Sequence, residues 1–447
     1  MVEVYKFGGT CAESPAKIQR ITELIKMADH PVVVTLSASA GITNYLTELV
    51  HTHLNEINIQ EALTHLRNRH ITLIDQLFEF PEPIEDDLKR LERLLYGIYY
   101  TEDLTPRTED LILSFGERLI APVLQGYLQN ENLRTIIADP ENFLITNGQY
   151  NQAVVLLEES EPRIKEVLNP LLDANDVIIV PGFYGVSSEK IVTLLGRSGT
   201  DYTATSLAYG LDASSITIWK DVYGFMSADP HLVPSAHTIP ILSYQEAAEL
   251  AYFGAKLLHP RAASPARLKH LPIYIRHIDH LDAKTCITTE FEQSGTIIKS
   301  VSHMNGLAVL KVYASIGGNT RGVLASIAEK TRDAGGNTIS IATSQTSIAF
   351  LMTEFDAIQC IEPIQTLGKE IIDEVEIHSD ISLICVVGEG LGHTPGIASK
   401  VFDAVSSTNV NVELISAGAS STAYHFTVNE KDLQPALQAI HNYFFEE

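Results

Sequence analysis

The sequence predicts an α/β protein in which a mostly parallel sheet lies between layers of helices, followed by two small α+β domains. Short apolar runs alternate with segments of helical periodicity, and the runs are rich in β-branched residues without polar alternation. Strands covered on both faces have this composition, which is why a parallel sheet is expected. An internal repeat near the C-terminus predicts the two small domains.

The strands predicted for the first domain are seven apolar runs. They occupy residues 2–7, 31–38, 134–139, 176–183, 190–195, 215–219 and 272–276. Between residues 45 and 129 the chain changes to Leu-rich, charged segments of helical period, which predict a helical insertion on the sheet. A Thr/Ser/Gly-rich stretch at 281–296 predicts a boundary loop, so the first domain is expected to cover residues 1–296.

The C-terminal third of the chain contains two similar copies. Gly322 superposes on Gly396 at an offset of 74 residues that needs no gap. Each copy has a turn, an amphipathic helix and a strand, with further apolar strands on either side. Two domains of βαββαβ type are therefore predicted, at residues 297–375 and 376–447.

Composition excludes several classes of function. The 447 residues include 31 Lys plus Arg and 56 Asp plus Glu, for a formal charge of −25. This charge disfavours non-specific binding to nucleic acid or to an anionic membrane, and neither is expected as a partner. The four cysteines form no CxxC pair, and no His cluster has metal-ligand spacing. Without a signal-peptide pattern or a long apolar run, the sequence predicts a cytoplasmic protein with no structural metal site.

The stretch VEVYKFGGT, residues 2–10, carries the first chemical signal. Lys6 lies at the end of a predicted strand, and Gly8 and Gly9 let the backbone approach a ligand closely. A helix starting near Ser14 adds the positive end of its dipole, so the turn suits a phosphate. By itself the turn fits a tight strand-to-helix connection equally well, and the P-loop spacing GxxxxGK[ST] is absent.

Two further glycine-containing turns follow predicted strands. In SASAGITN, residues 37–44, Thr43 can cap the next helix or bind a small substrate. In LLGRSGTDYTA, residues 194–204, Arg197 can bind a carboxylate through two parallel hydrogen bonds. Asp201 is either a helix cap or the partner that orients a catalytic lysine.

Lysines mark the last two turns of this kind. Lys220 and Asp221 follow the strand at 215–219, and Lys256 follows a helix that ends near Gly254. A single lysine at a helix end is usually solvated. Five such turns, four of them with Lys or Arg, together predict a site for phosphoryl transfer that does not use a P-loop.

The motifs in combination resemble those of the aspartokinases. They are KFGGT, LSASAGITN, SFGERL, LLGRSGTDYTA, WKDVYG and FGAKLLHP, in this order and followed by the paired repeats. The resemblance implies an amino-acid kinase fold, two C-terminal ACT domains, and phosphorylation of L-aspartate by ATP with Mg²⁺. The implied product is 4-phospho-L-aspartate, the entry to lysine, threonine and methionine synthesis.

The resemblance also implies a role for particular residues. The transferring phosphoryl group is expected to meet Lys6, Gly8 and Gly9, with Asp201 orienting the lysine. Aspartate is expected to be held by Ser39, Thr43, Glu117 and Arg197. The nucleotide pocket is expected to be lined by Lys220, Asp221, Met226, His231, Lys256 and Leu257.

Four positions depart from the pattern of the family. Cys11 stands where Ser is usual, Met226 where Tyr is common, His231 where Arg is common, and Lys220 where Thr is frequent. Because a histidine is only partly charged at neutral pH, we hypothesise that Lys220 supplies the cation that His231 does not.

The resemblance places an effector amino acid on the first ACT domain. The implied positions are Thr320, Gly322, Val323, Leu324, Thr338, Ile339 and Gln345. An acidic pair binds the ligand ammonium in lysine-inhibited relatives, and the corresponding Ile339 and Gln345 are uncharged. Lysine, threonine, another amino acid or no effector stay open. The half-covered sheets of ACT domains also predict a homodimer or homotetramer.

Two other functions compete with an aspartokinase. One is a kinase that acts on another acyl or phosphate acceptor, and the other is an amino-acid sensor whose kinase domain has decayed. The presence of Lys6, Glu117, Arg197 and Asp201 favours an active enzyme that binds a free α-amino acid.

Overall fold

The computed structural model describes residues 2–74, 84–196, 198–255, 257–289, 297–315 and 322–446. Contacts divide the chain into two compact units. The first unit consists of residues 1–225, 240–248 and 257–292, and the second of residues 226–239, 249–256 and 293–447. Each unit is described separately.

Eleven strands are found in the described part of the first unit. In chain order they are β1 (Glu3–Phe7), β2 (Val32–Leu36), β3 (Thr135–Ile137), β4 (Ile145–Thr146), β5 (Val177–Pro181), β6 (Tyr184–Ser187), β7 (Val192–Leu194), β8 (Ser215–Lys220), β9 (Ile241–Ser243), β10 (Ile273–His277) and β11 (Lys284–Thr288). Eight form one sheet in the order β3-β5-β2-β1-β8-β10-β11-β9, in which only β10 and β11 pair antiparallel. The predicted mostly parallel sheet is therefore confirmed.

Helices surround this sheet. They are α1 (Pro15–Lys26), α2 (Ile42–His51), α3 (Glu56–Ile74), α4 (Glu85–Thr101), α5 (Pro106–Leu113), α6 (Phe115–Asn130), α7 (Leu157–Ala174), α8 (Gly199–Gly210), α9 (Tyr244–Tyr252) and α10 (Ala263–Leu268). Helix α1 begins as expected, with Ser14 accepting a hydrogen bond from the Lys17 N–H and Pro15 in the first turn. Apolar side chains of α2 to α6 share one core with β1, β2 and β5.

Two sequence-based expectations for the first unit are wrong. The run at 190–195 forms β7, which lies in a separate three-stranded sheet, β4-β6-β7, and pairs antiparallel with β6. Only four residues separate β6 from β7, and so short a connection permits only a hairpin. The stretch at 281–296 is not entirely loop, because it contains β11, in which Thr285 and Ile287 point to the buried side.

The second unit contains one sheet. Its strands are β12 (Ser300–Ala314), β13 (Thr338–Thr343), β14 (Ser347–Thr353), β15 (Ile372–Val387), β16 (Ile415–Ser416) and β17 (Ala423–Asn429), in the order β13-β14-β12-β15-β17-β16. Its helices are α11 (Val323–Asp333), α12 (Glu354–Gln365), α13 (Ile397–Ser406) and α14 (Leu433–Phe445). The long strands β12 and β15 run through both repeats: the first half of β12 pairs with the second half of β15.

The repeat is visible in the backbone of the second unit. Gly322 precedes α11 and Gly396 precedes α13, and both have a φ angle of +84°. Only glycine adopts this conformation at little cost, so both copies need it at the same point. Helices α11 and α12 pack on one apolar core, and α13 and α14 on another.

Candidate active site

The site is built at the edge of the first unit where the parallel strands end. Lys6 lies near the end of β1, opposite Thr35 of β2 and Ile218 of β8. Ligands of parallel α/β sheets bind at this edge, since the connections to the helices leave a crevice there. The turns after β1, β2, β7 and β8 all begin at strand ends.

A buried group of charges lies at the centre of this edge. Lys6 Nζ is 2.7 Å from Asp201 Oδ1, and Lys220 Nζ is 3.9 Å from Asp201 Oδ2. Lys6 is 4% exposed and Asp201 is fully buried. The His259 N–H donates to Asp201 Oδ2 over 3.2 Å. Asp201 lies inside the first turn of α8, but its carboxylate meets these groups and does not cap the helix.

The protonation of this group follows from burial and charge. Burial alone raises the pKa of Asp201, but Lys6 and Lys220 reverse this and hold it below its usual value. Burial also lowers the pKa of Lys220. Two lysines around one carboxylate leave excess positive charge at the edge, which suits an anionic ligand.

The glycine turn after β1 lies against the chain that follows β2. A Cβ on Gly9 would be 2.5 Å from the Ala38 carbonyl oxygen, so no side chain fits there. The Gly8 N–H donates to the Trp219 carbonyl over 3.3 Å. The Gly8 N–H is therefore directed at a backbone carbonyl, and the contact of Gly8 with a phosphoryl group stays a prediction.

Glu117 lies in the first turn of α6 and is 3% exposed. Its Oε1 accepts a hydrogen bond from the Ala38 N–H over 3.0 Å, while Oε2 has no partner among the described residues. Burial raises its pKa to about 8, against the opposing effects of the Ala38 N–H and the charge of Lys6. An unpaired buried carboxylate oxygen is costly unless a ligand completes it.

Two hydroxyl groups lie on the same segment. Ser39 is buried and its Oγ also has no partner among the described residues. Thr43 is half-buried at the second position of α2, whose first turn is preceded by Gly41 at a φ of +84°. Thr43 therefore does not cap α2. A Cβ on Gly116 would be 3.6 Å from Thr43 Oγ1, which places this hydroxyl beside the start of α6.

The turn between β7 and α8 is closed by backbone contacts. The Gly199 N–H donates to the Gly196 carbonyl over 2.9 Å, and Gly196 and Ser198 have φ angles of +85° and +59°. Arg197 lies outside the described residues, and its contact with a carboxylate stays a prediction.

The residues expected to bind nucleotide are only partly brought together. Lys220 belongs to the buried charge group, Asp221 next to it is exposed, and Leu257 is half-buried. Met226 and His231 belong to the second unit, so their role stays a prediction. Lys256 lies outside the described residues.

Only some of the expected effector positions in the second unit lie in the same cavity. Thr338 and Ile339 line a cavity of about 460 Å³ together with Glu249, Tyr252 and His425. The other described positions, Gly322, Val323, Leu324 and Gln345, are not among its lining residues. Thr320 lies outside the described residues.

Two contributors to the site were not predicted from the sequence. They are the N–H groups of Ala38 and His259, which hold Glu117 and Asp201. A backbone N–H group is present at nearly every residue, so the amino-acid sequence does not indicate which one binds a carboxylate. His259 is the second-to-last residue of the motif FGAKLLHP, in which the sequence drew attention to the lysine and leucine instead.

Comparison with known proteins agrees with this fold. Residues 1–277 match the model of the amino acid kinase family, and residues 384–444 match an ACT domain. The chain therefore belongs to the amino acid kinase family. It is 30% identical to aspartokinase 2, chloroplastic, of Arabidopsis thaliana over 99% of this chain and 84% of that protein, which places it among the aspartokinases.

Solved structures extend the similarity to the whole chain. The structure of E. coli aspartokinase III in complex with aspartate and ADP, in the R-state, superposes with a TM-score of 0.86 at 26% identity over 100% of both chains. The T-state of the same protein, in complex with lysine and aspartate, gives a TM-score of 0.84 at 26% identity over 100% of both chains. In the described part of this chain, no helix has the length and apolar character needed to cross a membrane.

Proposed function

We propose that the protein transfers the γ-phosphoryl group of ATP to the side-chain carboxylate of L-aspartate, giving 4-phospho-L-aspartate and ADP. One observation carries this proposal. The buried Lys6–Asp201 pair and the unpaired oxygen of Glu117 lie at the same sheet edge, linked through the segment that follows β2. The first group suits a phosphate and the second an ammonium group, as an amino-acid kinase requires.

Glu117 binds the α-ammonium group of aspartate in this proposal. The Oε2 atom of Glu117 then accepts a charge-assisted hydrogen bond from the ammonium group. This bond gives the buried oxygen the donor that it otherwise lacks. Arg197 takes the α-carboxylate, and Ser39 and Thr43 add hydroxyl groups from the neighbouring segment. The side-chain carboxylate is then left as the nucleophile.

The phosphoryl group is held by a fixed cation. Lys6 meets the charge that spreads over the oxygens in the transition state, and Asp201 keeps its amine in place. Of the two glycine amides, only that of Gly9 has no hydrogen-bond partner among the described residues, and it donates to the same oxygens. No general base is needed, because a carboxylate is already ionised at neutral pH.

Mg²⁺ fits this site as a companion of the nucleotide. Among the described residues, no cluster of three or more His, Cys, Asp and Glu is arranged to hold a metal ion. Mg²⁺ in kinases is commonly held by one or two carboxylates together with phosphates and water. Asp221, exposed directly after Lys220, would supply the carboxylate. The ion would neutralise part of the phosphate charge during transfer.

The proposed reaction is tested by ADP release with aspartate, with glutamate and without acceptor. We expect ADP release only in the reaction that contains aspartate as acceptor. Hydroxylamine should trap the product as a hydroxamate, since an acyl phosphate reacts in this way. Equal release without an acceptor, or a preference for glutamate, would contradict the proposal. Adding lysine, threonine or methionine to the assay tests whether one of these end products acts as an effector.

Replacing Lys220 by Thr is expected to raise the KM for ATP about 10-fold or more, the effect of one lost charged hydrogen bond. The KM for aspartate should change much less, since Lys220 lies on the phosphate side of the proposed site. Initial-rate kinetics measure both constants. The control is Lys89→Thr on α4, where the side chain is 63% exposed and removal of the same charge should change neither constant. An unchanged KM for ATP in the Lys220 variant would exclude its role as the nucleotide cation.

A homodimer or homotetramer formed through the second unit completes the proposal. Apolar side chains on α11, β13 and α12 are exposed there, among them Leu324, Ile341, Phe355 and Ile358. Large apolar side chains that are exposed in one part of a chain are candidates for an interface between subunits. Sedimentation should give at least a dimer, and Phe355→Glu should shift it toward the monomer. A wild-type monomer at micromolar concentration would contradict this expectation.

A further inference from the structure

Arg118, which directly follows Glu117 in helix α6, is a buried cation that the proposed mechanism does not use. Its side chain is 5% exposed. The Nη1 atom lies 2.8 Å from Asp139 Oδ2, and Nη2 pairs with Glu141 Oε1. The Nε–H donates to Ser114 Oγ over 3.0 Å. Each of the three guanidinium nitrogens therefore has a polar partner.

The acidic partners of Arg118 follow β3, at the same carboxyl edge of the sheet as the site. Asp139 is two residues past the end of β3, and Glu141 lies in the short 3₁₀ turn Pro140–Asn142. Tyr184 of β6 completes the contact. Its ring centroid is 4.2 Å from the Arg118 Cζ, and its O–H donates to Asp139 Oδ1 over 3.2 Å. Arg118 therefore fastens the start of α6 to the end of β3.

Glu117 is fixed less firmly by its own contacts. Its Oε1 accepts from the Ala38 N–H, while Oε2 has no partner among the described residues. Ala38 follows β2, and a Cβ on Gly116 would be 2.7 Å from the Ala38 Cβ, so α6 lies directly against this segment. The start of α6 thus meets two strand ends, β2 through Glu117 and β3 through Arg118. A binding group is held precisely only when neighbouring contacts fix the element that carries it.

We propose that Arg118 is a positioning residue for the substrate: its guanidinium holds the start of α6 on the end of β3, and thereby keeps the carboxylate of Glu117 in place to bind the ammonium group of aspartate. The inference rests on the role of Glu117 in the proposed function. An ion pair that served stability alone would lower the melting temperature without weakening the binding of one substrate in particular.

The charge of Arg118 provides a second way to detect this arrangement. Burial raises the pKa of Glu117 to about 8, and the nearby charges of Lys6 and Arg118 oppose this effect. Burial alone would lower the pKa of Arg118, but the groups around it raise it above its usual range. The guanidinium therefore stays charged at every pH at which Glu117 titrates.

Other titratable groups act on Glu117 and Arg118 from the elements packed around them. They are Lys6 on β1, Asp87 and Arg90 on α4, Asp139 and Glu141 after β3, and Tyr184 on β6. Burial raises the pKa of Asp87, and the charge of Arg118 opposes this. Removing one charge from this group should shift the ionisation of Glu117 in the direction that the sign of that charge dictates.

Arg118→Lys tests the geometric part of the inference, because it keeps the charge but removes the planar fork of donors. We expect the KM for aspartate to rise about 10-fold at pH 9, by analogy with the loss of a hydrogen bond between charged groups. The values of kcat and of the KM for ATP should stay within about two-fold of the wild type. The step in the KM for aspartate should stay near pH 8, since the positive charge is still present.

Arg118→Gln tests the electrostatic part, because it removes the charge as well. Ionised Glu117 then loses a favourable charge, so the step should move to higher pH by roughly 0.5–1 unit, less than the 1–3 units that a charge in direct contact gives. Glu141→Gln removes a negative charge and keeps an oxygen that accepts from Arg118, so the step should move to lower pH. A shift in the same direction in both variants, or no shift in Arg118→Gln, would overturn the inference.

Arg134→Lys is the matched control, since it alters the same kind of pair at the other end of β3. Arg134 precedes this strand and donates to Asp176 through Nε over 3.2 Å and Nη2 over 2.6 Å. Neither KM nor the pH step should change in this variant. A wild-type KM for aspartate in Arg118→Lys would overturn the inference, as would an equal rise in both KM values together with a lower melting temperature.

Unfolding of the variants is limited by the exposure of the two acids. The side chains of Asp139 and Glu141 are 37% and 29% exposed, so water can solvate them when the guanidinium is replaced. Melting temperatures of all variants are measured at the pH of the assay. The lysine variant, which keeps a cation beside both carboxylates, should lose less stability than the glutamine variant.

Melting temperatures also separate this inference from the proposed function. If the wild type phosphorylates aspartate and the Arg118 variants match it, only the inference fails. If the wild type does not act on aspartate, the proposed function fails, and the effect of Glu117→Gln on the melting temperature is compared with and without Arg118→Gln. The contribution of Glu117 to stability is lost as the pH rises through about 8, because its folded-state pKa is raised. With Arg118→Gln this loss should extend to higher pH, and an unchanged pH dependence would overturn the inference.

Discussion

Lys6→Met should lower kcat by about 10²- to 10³-fold, the loss typical of removing one donor that stabilises a transition state. Methionine keeps most of the volume of the buried side chain, so the effect is on charge. The Lys6 amine lies 2.7 Å from Asp201 and close to the glycine turn, where the transferring phosphoryl group is proposed to bind. The KM for aspartate should change by much less. Single-turnover measurements of ADP formation give the rate of the chemical step.

Loss of folding is the main alternative explanation for such a result. Removing one partner of a buried ion pair commonly costs 3–5 kcal/mol, roughly, because the remaining charge is left alone. Lys220, 3.9 Å from the same carboxylate, reduces this cost here. The double variant Lys6→Met/Asp201→Asn removes both charges and should recover much of the stability without recovering activity. Wild-type kcat in either variant would exclude Lys6 from the phosphoryl-transfer step.

The sequence predicted the sheet because its strands have a composition that only burial on both faces explains. Strand β2 is buried at every position, and β5 is as well. It also predicted the paired C-terminal copies, since Gly322 and Gly396 have the same left-handed conformation and little else but glycine accepts it. A local backbone conformation that only one residue type adopts easily can therefore be predicted from the sequence.

Packing between segments that are far apart in the sequence could not be predicted in this way. Residues 226–239 were assigned to the first domain, but in the structure they pack within the second unit. Ala228 and Val233 share an apolar core with α13 and α14, and Ser227 Oγ lies 2.9 Å from His441 Nε2. The two residues of this last contact are 214 positions apart, and neither has a local pattern that reveals the other.

Single residues of the first unit also differ in how well the sequence predicts their role. Charged side chains next to glycines, such as Lys6, stand out in a sequence because few structural roles need them. Asp110 gave no signal, since a lone acid in a charged helical region is usually solvated. Its burial and its hydrogen bonds from the Leu194 and Asn151 N–H groups are seen only in the structure.

Glu117→Gln should raise the KM for aspartate about 10- to 100-fold, because one charge-assisted hydrogen bond of roughly 1.5–3 kcal/mol is lost. Glutamine keeps the hydrogen bond from the Ala38 N–H to Oε1, so the main chain of the site is preserved. The effect on kcat should be small, since the ammonium group is bound equally in the ground state and the transition state. Initial-rate kinetics with aspartate as the varied substrate give both constants.

The pH dependence of the KM for aspartate also tests the role of Glu117. Burial raises the pKa of Glu117 to about 8, so its charged form increases as the pH rises through that value and the wild-type KM for aspartate should fall. Glu117→Gln should show no step near pH 8.

The Glu117 variant also allows the ammonium contact to be isolated. Succinate has both carboxylates of aspartate but no ammonium group, so the wild type should discriminate strongly between the two, and Glu117→Gln should reduce that ratio. The stability of the fold provides a control, because it should respond to pH in the opposite direction. Since the folded-state pKa of Glu117 is raised, its contribution to stability is present below the ordinary pKa of a glutamate and is lost as the pH rises through about 8. The variant should therefore be at least as stable as the wild type above pH 8. If its discrimination against succinate equals that of the wild type, Glu117 does not bind the ammonium group.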